Sequence, residues 1–185
     1  MAVVAHAFVT IAETESRLDI AAGTEDAKLT LLIDAATDLV EKYCGRRFKQ
    51  TEYSEEKYPG KNTNQIFLRN FPISEEVADA PTVLIDDEAV EVEEIDYKKG
   101  ILELASIANE GLSNVKVTHK SGYADADIPH DLKEAVFLLV ARSRNTGKST
   151  GISSESVGDY SVTYARVSGV FTADIKQILI NYKRF

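Results

Sequence analysis

Between residues 24 and 45 the apolar positions Leu29, Leu32, Ile33, Ala36, Leu39, Val40 and Tyr43 recur at the i, i+3, i+4, i+7 spacing of an amphipathic helix. Thr24 or Asp26 stands where a cap would open it, and Gly45 where a C′ glycine would close it. Arg46 and Arg47 then fall near the negative end of the helix dipole. A shorter helix is predicted over 10–18, with Thr10 as N-cap and acids in its first turn. A third starts near Pro129, with Asp131 and Glu134 toward its positive end. Its residues Leu132, Ala135, Val136, Leu138, Leu139 and Val140 are apolar nearly all round, so it should be the most buried helix, ending at Gly147. The last helix, 172–183, is capped by Thr172 and striped by Ile175, Ile178, Leu179 and Tyr182.

From 50 to 123 the pattern changes to short runs rich in Val, Ile, Tyr, Phe and Thr: "TEYSEEKY", "QIFLRNF", "TVLIDDEAVEVEEIDY", "ILELA" and "VKVTHKSGY". Turn compositions such as "PGKNTN", "DD", "KKG" and "NEGLSN" separate them, predicting five or six antiparallel strands. In "DDEAVEVEEID" the acids alternate with Val90, Val92 and Ile95, as in one strand with a wet face and a packed face. The segment "GISSESVGDYSVTYARVSG", 151–169, is half loop and half strand, and its stretch 159–165 reads as an unpaired strand with an open edge. The fold class is therefore α+β: a small, mainly antiparallel helical core of three to four helices, from 10–49 and 127–185, with an inserted antiparallel β-rich subdomain at 50–123. All of it forms a single domain over 1–185.

Charge narrows the functions. The net charge is −9. Residues 1–50 hold eight acids and six bases, 51–126 sixteen and seven, and 127–185 six and eight, so the middle of the chain carries the excess. Such a surface repels phosphate, whereas nucleic-acid affinity comes largely from Lys and Arg on phosphates. DNA could pass nearby without being held. No apolar run reaches the ~20 residues of a membrane span, and "MAVVAHAFVT" lacks the basic flank of a signal peptide. A single cysteine, Cys44, excludes an internal disulfide and fits a reducing compartment such as the cytoplasm.

Candidate chemistry fails motif by motif. "TGKST" at 146–150 ends like a P-loop, but the glycine required five residues upstream is Arg142, inside a helix. The acids Asp86, Asp87, Glu88, Glu91, Glu93, Glu94 and Asp96 lack the bend glycine of a calcium loop and alternate as on a strand. His6, His119 and His130 are scattered, with no HExxH or His/Cys pair for zinc. "GISSE" misses the nucleophile elbow at Glu155, and Cys44 suits packing. No catalytic, cofactor or metal site is expected. What remains suits contacts: the tyrosines of "GDYSVTYA" and "NYKRF" lie where little core is on offer, and exposed aromatics beside Arg anchor interfaces.

The order "LLIDAATDLVEKYCGRRF", "FLRNFPI", "VKVTHKSGYADADIPHDLKEAVFLLVARSRN" and "SSESVGDYSVTYA", over about residues 25–165, resembles the head–tail connector family, the head-completion adaptors of tailed phages, prophages and gene-transfer particles. The resemblance implies a structural virion protein that is not an enzyme. It would be made in the bacterial cytoplasm and then sit in the neck as a cyclic, twelve-fold ring of copies of itself. That ring would bind the portal protein, extend the DNA channel without specific DNA binding, and dock a head-closure or tail protein, with no membrane and no cofactor. Ser154, Glu155, Gly158, Asp159, Tyr160 and Ser161 match the family's loop motif; Tyr164, and by position Tyr182, Lys183, Arg184 and Phe185, complete the expected subunit and portal interface. The β-rich insert departs from the simplest, nearly all-helical adaptors. Alternatives are another neck component, such as a head-closure or tail-terminator protein, or a small metal-dependent hydrolase or nuclease using the acids of 86–96.

Overall fold

A computed structural model describes residues 2–148, 154–157, 160–163 and 171–183, with the backbone alone at 146–148, 154–157 and 160–163. In chain order the elements are α1 (Ile11–Arg17), α2 (Asp26–Cys44), β1 (Thr51–Gly60), β2 (Thr63–Phe67), β3 (Thr82–Ile85), β4 (Glu88–Val90), β5 (Val92–Asp96), β6 (Ile101–Ala108) and β7 (Gly111–Ser121). There follow α3 (His130–Lys148), β8 (Ser154–Val157), β9 (Tyr160–Thr163) and α4 (Ala173–Leu179), which runs into a 3₁₀ turn, Ile180–Tyr182. The fold is thus mixed helix and antiparallel sheet. The chain divides into two compact units, one of Met1–Gly45 with Pro129–Phe185 and one of Arg46–Ile128.

In the first unit, α3 packs on α2 and on α4. Of the stripes read from sequence, Leu29, Ile33, Ala36 and Val40 on α2 and Leu132, Ala135, Val136, Leu139 and Val140 on α3 are buried, whereas Leu32, Leu39, Tyr43 and Leu138 are half-buried; Cys44 joins the buried face of α2. Each fully buried Leu, Ile or Val contributes roughly 1.5–3 kcal/mol. Thr10 opens α1 with a capping box, its hydroxyl accepting from Glu13 N–H while the Glu13 carboxylate accepts from Thr10 N–H. Gly45 closes α2 in the left-handed region at φ 73°, its N–H reaching Glu41 O. Three expectations need correction. The residue at the N-cap of α2 is Glu25, without a side-chain cap; Thr24 instead donates its hydroxyl to Ala21 O. α3 continues through Gly147 to Lys148, since one glycine costs a helix only ~1 kcal/mol. Thr172 is the N-cap residue of α4, but its side chain makes no cap hydrogen bond to the helix backbone, and its hydroxyl accepts from Arg142 Nη1 at 3.0 Å. Ion pairs join the helices: Arg17 with Glu134, Lys133 with Glu13, and Arg144 with Glu25.

The second unit holds seven strands, all antiparallel to their sheet neighbours, in two sheets ordered β1-β7-β3-β4 and β2-β6-β5. Tyr58, Ile66, Leu68, Ile73, Val83, Ile85, Leu102, Leu104, Ala108, Val115 and Val117 from both sheets bury one common cluster. The acidic run 86–96 is not one strand. Asp86 and Asp87, both at positive φ (51° and 68°), make the two-residue turn of the β3–β4 hairpin, a conformation that aspartate tolerates better than most residues. The chain then breaks at Glu91, leaving β4 in one sheet and β5 in the other. Val90, Val92 and Ile95 pack on the core and Glu88, Glu91, Glu93 and Glu94 are exposed, but a register shift between Val92 and Glu94 interrupts the alternation and leaves two successive glutamates exposed.

β1 to β2 and β6 to β7 both change sheets, and they do so at the same end, where Gly60 pairs with Gly111 and Thr63 with Ala108. Asparagines stitch the two turns: Gly60 N–H donates to Asn114 Oδ1 at 2.8 Å, Asn114 Nδ2 to Asn109 O at 3.1 Å, and Glu110 N–H to Asn62 Oδ1 at 2.9 Å. Any Cβ on Gly60 would lie 1.9 Å from Asn109 O, so only glycine fits there.

Candidate assembly surfaces

Of the residues expected to make contacts, those described fall in two places of the helical unit. The backbones of Ser154 and Glu155 lie in β8 and those of Tyr160 and Ser161 in β9, paired as Ser154–Thr163, Glu155–Val162, Ser156–Ser161 and Val157–Tyr160. The stretch read as an unpaired strand is therefore one arm of a hairpin. Its partner is only a few residues upstream, where closure costs little loop entropy. A two-stranded ribbon still leaves one outer edge of each strand without a neighbour among the described residues. Gly158, Asp159, Tyr164, Arg184 and Phe185 lie outside the described residues.

Tyr182 and Lys183, placed in the interface by position alone, also make contacts within their own chain. The half-buried Tyr182 donates its hydroxyl to Asp131 Oδ1 at 2.6 Å. Lys183 Nζ lies 5.4 Å from the Tyr43 ring centroid, and Tyr43 packs on Phe171 with centroids 4.8 Å apart. Leu31 on α2 and Ile180 in the final turn are the helical unit's large exposed apolar side chains among the described residues.

On the β-rich unit, Leu112 is 97% exposed, and Ile107, Phe67 and Val77 also face solvent. Leu112 and Ile107 flank the stitched turns. The acidic side is mostly uncompensated. Lys116 pairs with Asp87 and Lys120 with Asp79, each lysine hydrogen bond holding its carboxyl below the usual range. Glu88, Glu91, Glu93 and Glu94 have no ion-pair partner among the described residues. Their carboxylates lie along an exposed surface and form no metal-holding cluster among the described residues.

The candidate chemical groups separate in the same way. Gly147 and Lys148 of "TGKST" belong to α3, and Cys44 is buried. His119 is 2% exposed in β7, stacked on Tyr53, with Glu56 Oε2 3.9 Å from its Nε2. Glu56 already accepts from Tyr58 and Arg69. One grouping was not legible from sequence: His6 meets Asp38 and Glu41 of α2. An Asp and a Glu three residues apart on a predicted helix were a signal, but nothing local brings a histidine thirty-two residues away onto that face.

Compared with known families, residues 7–185 match the model of the head completion protein family. The chain belongs to that family. This head completion protein is thus a head–tail connector, a structural virion protein, as the ordered motifs over 25–165 suggested. Comparison with curated proteins finds no match. Among solved structures it is similar to a chain from the neck of an empty GTA particle computed with C6 symmetry: TM-score 0.58, 15% identity, 100% of this chain and 95% of that one covered. A chain from the neck of a native GTA particle computed with C12 symmetry gives 0.57 at 14% identity, covering 100% and 93%. One from the virion of a native gene transfer agent (GTA) particle gives 0.56 at 15%, covering 98% and 92%. At such identities the likeness is one of fold. It spans both units of this head completion protein.

Proposed function

We propose that this head completion protein works in the virion neck as a ring of identical subunits on the portal, extending the DNA channel and docking the next connector or tail component. The observation that carries the reading is the family match over 7–185, reinforced by a fold shared along the whole chain with neck proteins from symmetric particles. Its work is assembly, with no chemical step. The helical unit forms the connector core and the β-rich unit the insert. A cyclic ring uses one patch against a different patch of the neighbour. The open edges of β8 and β9 suit β-addition, and Tyr160, Tyr164 and the C-terminal residues suit anchoring beside them.

The uncompensated glutamates of β4 and β5 fit either a channel wall that lets DNA slide or a face complementary to a basic partner. Ordering segments only on docking would weaken the free ring, because each ordered residue costs ~1–2 kcal/mol of backbone entropy. The free protein is then a monomer or weak oligomer that closes on the portal, and a stable closed ring by light scattering at micromolar concentration contradicts this. Electron microscopy of the protein mixed with its portal tests the function: a twelve-fold collar is expected, and bare portals overturn the reading. Replacing Tyr160 and Tyr164 by Ser should leave unfolding unchanged and abolish particle assembly.

A further inference from the structure

We propose that His6, Asp38 and Glu41 form a binding site for a divalent transition-metal cation of the zinc class, which fastens the N-terminal segment to α2. Their donor atoms all lie within 4.8 Å of one another, with His6 Nε2 3.0 Å from Asp38 Oδ1 and 3.7 Å from Glu41 Oε2. Ligands bound at about 2.0–2.2 Å stand about 2.8–3.1 Å apart around an octahedral ion and about 3.3–3.6 Å apart around a tetrahedral one. Those separations therefore need shifts of only a few tenths of an ångström for the two histidine pairs.

The donors are held before any ion arrives. Asp38 and Glu41, three apart, share one face of α2. His6 is positioned by the segment around it: Val4 N–H donates to Asp34 Oδ1 at 2.9 Å, Ala7 N–H to Val4 O at 2.9 Å, and Ala7, Phe8 and Val9 are buried. The side chains of Glu41 and His6 are 9% and 19% exposed, so both are largely shielded from solvent, while Asp38 at 53% leaves a way in.

Charge and ligand type select the ion. Two carboxylates and a neutral imidazole balance a dication. The imidazole favours zinc, cobalt or nickel over magnesium, which prefers oxygen and keeps its waters. Three protein ligands leave coordination positions to water. On binding, the Nε2 lone pair becomes the metal bond, and any proton on Nε2 moves to Nδ1 through solvent or is released. The alternative is that the three residues make only a hydrogen-bonded cluster, which holds no zinc.

Titrating the tag-free full chain with Zn²⁺ by calorimetry, alongside thermal unfolding, separates the two. The expected result is one site per chain, a higher unfolding midpoint with Zn²⁺ than with Mg²⁺, and affinity reduced more than about tenfold in His6→Ala and in Asp38→Asn. His130→Ala, at the start of α3 and outside the site, should bind as the native chain does. Absence of Zn²⁺ binding, or equal affinity in His6→Ala and Asp38→Asn, or loss in His130→Ala, overturns the assignment.

Discussion

Tyr182 donates its phenolic hydrogen to Asp131 Oδ1 over 2.6 Å, tying the last turn of the described chain to the first turn of α3 across fifty-one positions. The contact is made within one subunit. Tyr182→Phe should therefore destabilise the isolated protein by about 1 kcal/mol, the usual net worth of one hydrogen bond. Urea unfolding measures it, and a double-mutant cycle with Asp131→Ala, which removes the acceptor, should recover most of that value as coupling. A Tyr182 that served only a neighbouring subunit would leave the isolated chain unchanged.

Below neutral pH, His119 should set the stability. Burial against Tyr53 lowers its pKa, and Glu56 offsets this only in part. With the folded value below the unfolded one, the unfolded chain binds more protons between the two. Stability is thus complete above the unfolded value of about 6.5 and is lost as pH falls from there toward the folded value. Asp79, Asp87 and Asp96, all lowered, act only further toward acid. Unfolding midpoints from pH 7.5 down to 5 should fall in the native chain and stay nearly level in His119→Phe.

At the stitched end of the β-rich unit, Gly60→Ala sets a methyl against the Asn109 carbonyl at 1.9 Å. Backbone must move, and a loss of about 2–3 kcal/mol is expected in denaturant unfolding, typical of overpacking. An open position shows the contrast. A Cβ added at Gly23 would meet nothing within 4 Å, but the φ of +76° there already disfavours alanine, so only a smaller loss is expected.

Arg46 lays its guanidinium 3.7 Å from the Phe71 ring centroid and donates from Nη1 to Phe71 O at 2.9 Å, at 5% exposure. Lysine cannot reproduce a planar stack and a directed N–H together. Arg46→Lys should cost about 2 kcal/mol, read from the urea midpoint, since both a charged hydrogen bond and a desolvated cation–π contact are weakened. From sequence Arg46 looked like a charge beside a helix end; its burial depends on a phenylalanine twenty-five residues on.

That difference in range separates what the sequence determined from what the fold decided. The stripes of α2 and α3, the Thr10 capping box, the left-handed Gly45 and the Asp86–Asp87 turn all follow from neighbours within a few residues, which the order of amino acids states directly. The family resemblance was legible for the same reason, being a succession of such local pieces. Three further features depend on how whole elements meet: the break at Glu91 that sends β4 and β5 to different sheets, the burial of His119 beside Glu56, and the meeting of His6 with Asp38 and Glu41. Periodicity says which face of an element is apolar. Only packing of the whole backbone says which distant side chain that face will meet.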